Sequence, residues 1–353
     1  MTKKVYIRSV GMISPQVTFA QEVPLGISTI HEGSRMNAIE PDYKIIFGPK
    51  SIRRMSRIIR MGSAAAVECM YHSGLIMPDA IITGTAYGCL EDTIIFLNKM
   101  EENKEEMLTP TAFIQSTHNS VGAQIALSIK CQGYNNTFVN RGLSFEQALL
   151  DAMLLIEEGD VTNVLVGGID EITNTSHAIL SRFDLYRSAK SDLLIEQPGK
   201  GTMAGEGAGF FLISSEASTS DMAVIEHLSM KFDPDEKLNT AQWINDVLSD
   251  LQMTLSDIDL FILGHNGDLR NDGTYESLQQ AIGDSAPIAY FKHLCGEYPT
   301  ASSFGLWLAA SSLKNGRVPF SAEDFLQLDA SSRVLMYNSA SNGHHSLMLL
   351  SAC

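Results

Sequence analysis

Apolar and polar positions follow two rhythms along this chain. Continuous apolar runs of strand length include KVYIRSVGMI (4–13), DAIITGTAYG (79–88), TFVN (137–140), TNVLVGGID (162–170) and GEGAGFFLISS (205–215). Between them lie longer stretches in which apolar residues recur every three or four positions. Continuous runs suit strands covered on both faces, and the longer period suits amphipathic helices. The pattern predicts a long helix over SIRRMSRIIRMGSAAAVECMYHSGL ending at Gly74, a helix over 119–133 closed by Gly133, and a helix over 144–159 closed by Gly159. Glycine just past the last periodic residue is a usual stop, because it accepts a left-handed backbone.

A second round begins near Met222. It comprises MAVIEHLSM, the helix NTAQWINDVLSDLQM, the strand DLFILGHNG, a helix from Tyr275, APIAYF, a helix through FGLWLAASSL, and the strands VLMYNSA and HSLMLLSA. The order βαβαβ thus occurs twice, which predicts a layered α/β fold of two similar halves packed together. Apolar residues thin out in the polar stretch SSEASTSD, so the halves are placed at 1–216 and 217–353.

Composition narrows the function classes. A hydrophobic content of 44% with 11 prolines supports a sizeable core, and 353 residues suffice for two domains or one duplicated one. A net charge of −16 argues for a cytoplasmic protein and against general affinity for nucleic acid or anionic lipid. The five cysteines are scattered without a CxxC pair, so neither a disulfide framework nor a zinc site is expected. MTKKVYIRSVGMISP reads as a first strand rather than a leader, and no apolar run reaches the roughly 18 residues of a membrane span.

Several residues are candidates for chemistry. Arg141-Gly142-Leu143-Ser144 is a strand-to-helix turn of the kind that carries a nucleophile, yet glycine stands at its tip. GLSFE partly imitates G-x-S-x-G and makes Ser144 an alternative nucleophile, but Glu146 replaces the final small residue; a capping role is the other reading of Ser144. His265 follows a strand, as a structural or a functional histidine would. Lys292 and Glu297 are spaced to form an ion pair. His344 and His345 lack further ligands for a metal. GEGAG precedes a strand rather than opening a helix, so it reads as close backbone packing and not as a dinucleotide loop. Lys50, Arg53, Arg54, Arg57 and Arg60 form a basic run without an acid; a solvated helix face is its ordinary explanation.

These stretches, in order, resemble the β-ketoacyl synthases of the thiolase-like superfamily. The resemblance runs from VYIRSVGMISP through RRMSRIIRMGSAAAVECMYHSGL, TPTAFIQSTHNSVGAQIALSIKCQG, LLIEEGDVTNVLVGGID, GTMAGEGAGFFLISSE, FILGHNGDLRNDGTYESL and FKHLCGEYPTASSFGLWLA to NSASNGHH, covering nearly the whole chain. It implies a thiolase-like αβαβα architecture. It also implies condensation chemistry, in which a cysteine at a helix N-terminus takes an acyl group and two histidines assist decarboxylation.

Counting back from Gly159, the resemblance puts Gly142 at the nucleophile position, where covalent acyl transfer is impossible. His265 falls at the first histidine and Lys292 at the family lysine. Glu297 takes the place of the second histidine. A carboxylate there would oppose an enolate by ~4 kcal/mol at 4 Å and an effective dielectric of 20. Asn342 replaces the phenylalanine that gates the acyl pocket. The chain therefore resembles a chain-length factor, a degenerate member paired with an active ketosynthase. Phe113, Gln115, Thr117 and Asn119 would form the pocket wall at the dimer interface, and the basic run would dock an acyl carrier protein. The implied route is type II fatty-acid-like or polyketide-like synthesis, of which polyene synthesis is one form, without cofactor or metal. Partners would be an active ketosynthase or a second copy of the chain. The alternative is a thioester acyltransferase or hydrolase using Ser144 and His265, or a decarboxylase in the same cavity.

Overall fold

The computed structural model describes residues 3–20, 28–235, 237–319, 327–340 and 343–353. Ten strands form one mixed sheet: β1 Val5–Ile13, β2 Ala80–Gly84, β3 Tyr134–Phe138, β4 Asn163–Asp170, β5 Gly207–Ser214, β6 Ala223–Phe232, β7 Leu260–Leu263, β8 Ile288–Tyr290, β9 Arg333–Ala340 and β10 His344–Ser351. Their spatial order is β8-β7-β9-β10-β6-β1-β5-β4-β2-β3. Taken separately, each run of five has the same internal order, third-second-fourth-fifth-first. In each, the second strand pairs in parallel with the third and fourth, while the fifth pairs antiparallel with the fourth and first. The duplicated βαβαβ pattern in the sequence is therefore a repeat of topology. The two runs meet where β1 pairs antiparallel with β6 through Val5↔Ile225, Tyr6↔Val224 and Ile7↔Ala223.

Helices fill three layers around this sheet. Helices α1 Tyr43–Ser51, α2 Arg57–Ser73, α3 Leu90–Glu102, α4 Pro110–Gln115, α5 Ser120–Ile129, α6 Ser144–Glu158 and α7 Asn174–Ser181 belong to the first run; α8 Thr240–Asp250, α9 Asp272–Ile282, α10 Lys292–Cys295 and α11 Ser302–Asn315 belong to the second. Helices α6 and α11 share the largest buried cluster with strands of both runs, including Phe145, Leu149, Trp307 and Met336. Every residue of α11 from Ser302 to Leu313 is buried, as expected of a helix covered on all sides. A second cluster packs α2 and α5 on the outer face of the first run, and a third packs α8 and α9 on that of the second. The layers are thus helix, sheet, helix, sheet, helix.

Some boundaries differ from the sequence reading. The expected long helix is broken: α1 ends at Ser51, a 3-10 turn covers Ile52–Arg54, and extended Met55 turns into the core before α2 starts at Arg57. Gly74 and Gly159 do end α2 and α6 in left-handed conformation. Helix α5 instead stops at Ile129, with Lys130 taking the left-handed cap. Gly133 is needed for another reason, since a Cβ there would lie 1.9 Å from the Asp79 carbonyl oxygen. Helices α3 and α7 bury no residue fully and lie outside the elements expected from the pattern.

Candidate functional site

The site is built where β3 turns into α6. Arg141, Gly142 and Leu143 form a 3-10 turn, and Arg141 has a left-handed φ of 48°. Ser144 staples this turn. Its Oγ accepts from the Asn140 N–H at 2.8 Å and donates to the Arg141 carbonyl at 2.8 Å. The hydroxyl is fully buried and committed locally, and Ser144 starts the helix instead of preceding it as a cap. Gly142 is buried against the tips of β9 and β10. A Cβ on it would lie 2.4 Å from Ala340 Cβ and 3.4 Å from His344 Cβ, and Ala340 and His344 are themselves paired across the two strands. The space of any side chain at position 142 is thus taken by a neighbouring methyl. One turn along α6, Glu146 is fully buried, with Oε1 accepting from Ser346 Oγ at 2.8 Å; burial raises its pKa.

Lys292 and Glu297 do form an ion pair. Lys292 is fully buried on α10, and its Nζ reaches Glu297 Oε1 at 3.0 Å, Glu297 Oε2 at 2.7 Å and the Ser339 carbonyl at 3.0 Å. An ammonium has three donors, and here all three are engaged. Asn266 Nδ2 donates to Glu297 Oε2 at 2.7 Å. The carboxylate is therefore neutralised, which reduces the repulsion expected of an isolated glutamate. The pair leaves no free ammonium donor.

His265 lies just past β7 and packs edge-on against Tyr275, with ring centroids 5.2 Å apart, and near Tyr290 at 5.9 Å. Its neighbour Asn266 borders the cavity. His344 and His345 part company on alternate faces of β10: His344 packs on Phe232, while His345 Nδ1 pairs with the Tyr337 hydroxyl at 2.8 Å. Asn342 lies outside the described residues.

A cavity of about 540 Å³ opens beside the turn, bounded among others by Arg141, Gly142, Tyr87, Tyr186, Asn266, Glu297 and Ala340. Neither Ser144 nor His265 lines it. Tyr87 is held there by Asp170, which the sequence reading missed. This buried carboxylate ends β4 and accepts from Thr85 Oγ1, the backbone N–H groups of Ala86 and Tyr87, and Thr300 Oγ1, all at 3.0–3.1 Å. Burial nevertheless pushes its pKa up to about 6. Asp170 directly follows the GGI of β4, but a strand-end acid carries no pattern of its own.

The surface candidates separate. Lys50 and Arg53 are exposed and border a shared groove. Arg57 is not free: its guanidinium binds Glu206 at 2.7 and 2.6 Å and Glu40 at 2.7 Å. Arg60 Nε donates to the Met55 carbonyl. Because the helix is broken, the run spans three elements and does not form one face; of Arg54 only the backbone is described. Phe113 and Gln115 lie on α4, with Thr117 and Asn119 in the turn to α5, which packs on β2 and the edge strand β3. Phe113 and Ile114 are 58% and 64% exposed, and none of the four residues lines the cavity of this chain. No helix of the described residues is long and apolar enough to cross a membrane.

Residues 34–218 match the family described as Beta-ketoacyl synthase, N-terminal domain. No curated protein sequence matches the chain. Among solved structures it is similar to the ishigamide ketosynthase/chain length factor, with a TM-score of 0.80 and 18% identity over all of both chains. It is also similar to a β-ketoacyl synthase from Burkholderia phymatum STM815, at TM-score 0.79 and 15% identity over 99% of this chain and 100% of that one. A third is the ketosynthase ApeO in complex with its chain length factor ApeC from Xenorhabdus doucetiae, at TM-score 0.76 and 16% identity over 99% and 98%. At these identities the likeness is one of fold.

Proposed function

The chain belongs to the β-ketoacyl synthase family, and from that premise we propose that it is a member without condensing activity of its own. It acts as a chain-length-factor-like partner of an active ketosynthase in the assembly of carrier-bound acyl chains, of type II fatty-acid or polyketide kind. The observation that carries this reading is Gly142, with Ala340 Cβ occupying the volume a nucleophile would need. The saturated Lys292–Glu297 pair supports it, because the place of the second histidine holds no free donor. Structures of the same fold include a ketosynthase in complex with its chain length factor. The exposed Phe113 and Ile114 on α4, just before the helix that packs on the edge strand β3, suit an interface with such a subunit, and the exposed Lys50 and Arg53 suit an acidic carrier protein. The hydrolase alternative lacks a matching observation, since the Ser144 hydroxyl is used within its own turn.

Two measurements test the proposal. Incubation with an acyl-thioester followed by intact-mass analysis is expected to show no covalent adduct; a stoichiometric adduct on Ser144 or any cysteine would sink it. Co-expression with a neighbouring ketosynthase should yield a co-eluting complex. Recovery of the homodimer alone would reject the heterodimer reading.

A further inference from the structure

The cavity beside Gly142 has an unbalanced set of polar groups. Its acids are already matched: Glu297 by Lys292 and Asn266, and Asp268 by Arg270, whose Nε lies 2.9 and 3.1 Å from the two carboxylate oxygens. Arg141 is different. Its guanidinium makes no hydrogen bond or ion pair with the described residues, although its backbone is held in a left-handed conformation that a non-glycine residue adopts at a conformational cost. That conformation is fixed by the Ser144 staple and places Arg141 on the cavity wall. Two phenols on the same wall, Tyr87 and Tyr186, also lack hydroxyl partners among the described residues. Both hydroxyl pKa values are raised by burial, so they remain donors at neutral pH. Arg141 lies close enough to Tyr87 to act on its hydroxyl electrostatically, and Tyr87 does the same to Tyr186. The rest of the wall includes the apolar side chains of Leu180, Phe183 and Leu185.

We infer that this cavity binds a ligand with an apolar body and a free carboxylate, the carboxylate being held by Arg141 with Tyr87 and Tyr186 as further donors. A guanidinium presents a planar fork that matches a carboxylate, and a carboxylate accepts the additional phenol bonds. One uncompensated positive charge balances a monoanion, whereas a phosphate monoester brings close to two negative charges at neutral pH. The volume is within the range of small-molecule sites. Arg141 is then a specificity residue: it selects acyl chains carrying a second, unesterified carboxyl, or free acids, over neutral ones. This inference rests on the reading of the cavity as an acyl site kept without a nucleophile.

Calorimetric titration of the full chain at pH 7.5 with octanoate and with octanamide tests it. Octanoate is expected to bind about tenfold to a hundredfold more tightly than octanamide, as charge-assisted hydrogen bonds imply. In Arg141→Gln that preference should vanish with octanamide binding unchanged, in Arg141→Lys it should persist in part, and Tyr87→Phe should weaken octanoate alone. Thermal melting checks that each variant folds; should Arg141→Gln not fold, the Tyr87→Phe comparison still decides. Equal affinity of the wild type for both ligands, or undiminished octanoate binding in both Arg141→Gln and Tyr87→Phe, would overturn the role of Arg141 and leave the acyl cavity standing. Failure of both ligands to bind the wild type would overturn the acyl-cavity reading as well.

Discussion

At the scale of single residues, the proposed absence of a nucleophile at Gly142 is also a matter of packing. Because Ala340 Cβ stands 2.4 Å from where a side chain at 142 would begin, Gly142→Cys must push the β9–β10 tip outward. Overpacking of this kind costs about 1–3 kcal/mol. Gly142→Cys should therefore lower the melting temperature and give no acyl adduct. Gly142→Cys/Ala340→Gly should regain most of the stability, and equal melting of the two variants would contradict the steric account. Lys292 offers a second test. Replacing it with methionine leaves the Glu297 carboxylate in a site where its side chain is only 11% exposed, which is expected to cost about 3–5 kcal/mol in denaturant unfolding. Adding Glu297→Gln should recover most of that loss, since the cost comes from the stranded charge. The identity of both positions was legible in the sequence. Their surroundings were not, because Ala340 lies almost two hundred residues from Gly142 and meets it only through the sheet.

Elements show a different division between what the pattern reveals and what it hides. Buried helices such as α6 and α11 announced themselves, while surface helices such as α3 did not. The break at Met55 was invisible because Arg53, Arg54, Arg57 and Arg60 keep helical spacing across a kink. That break changes the meaning of the basic run. Arg57 clamps Glu206, a fully buried carboxylate otherwise held by the Ala38 and Ile172 N–H groups at 2.9 Å. Arg57→Ala should therefore destabilise the protein by about 3 kcal/mol. Lys50→Glu/Arg53→Glu, on exposed positions, should leave the melting temperature nearly unchanged and weaken carrier-protein binding, with most of the effect on association rate at low salt. Binding that resists the double reversal would remove this face from the docking proposal.

Over the whole molecule, the duplicated strand order follows from the repeated βαβαβ pattern, but packing the layers together places several carboxyls in the interior that no local pattern marks. Burial pushes Asp170 up to about 6, Glu68 to about 7 and Glu171 to about 8, the last despite the nearby Arg57. Each of these acids has a folded-state pKa above its unfolded value of roughly 4, so the native state holds protons that the unfolded chain has released. Their contribution to stability is complete below about pH 4 and is lost as pH rises through 6 to 8. Buried His293 acts in the opposite sense: burial lowers its pKa to about 4, so its contribution grows with pH through the unfolded value of roughly 6.5 and is complete about one unit above it, and the lowered pKa values of His177, His227 and His345 act in the same direction. Above that range the buried acids dominate the slope. The melting temperature should thus fall between about pH 7.5 and 8.5, with Glu171 responsible for most of the descent. Glu171→Gln, which cannot ionise, should flatten the slope and melt higher than the wild type at pH 8.5. A melting temperature that rises over this interval, or a variant with the wild-type slope, would show that these carboxyls reach water more freely than their packing allows.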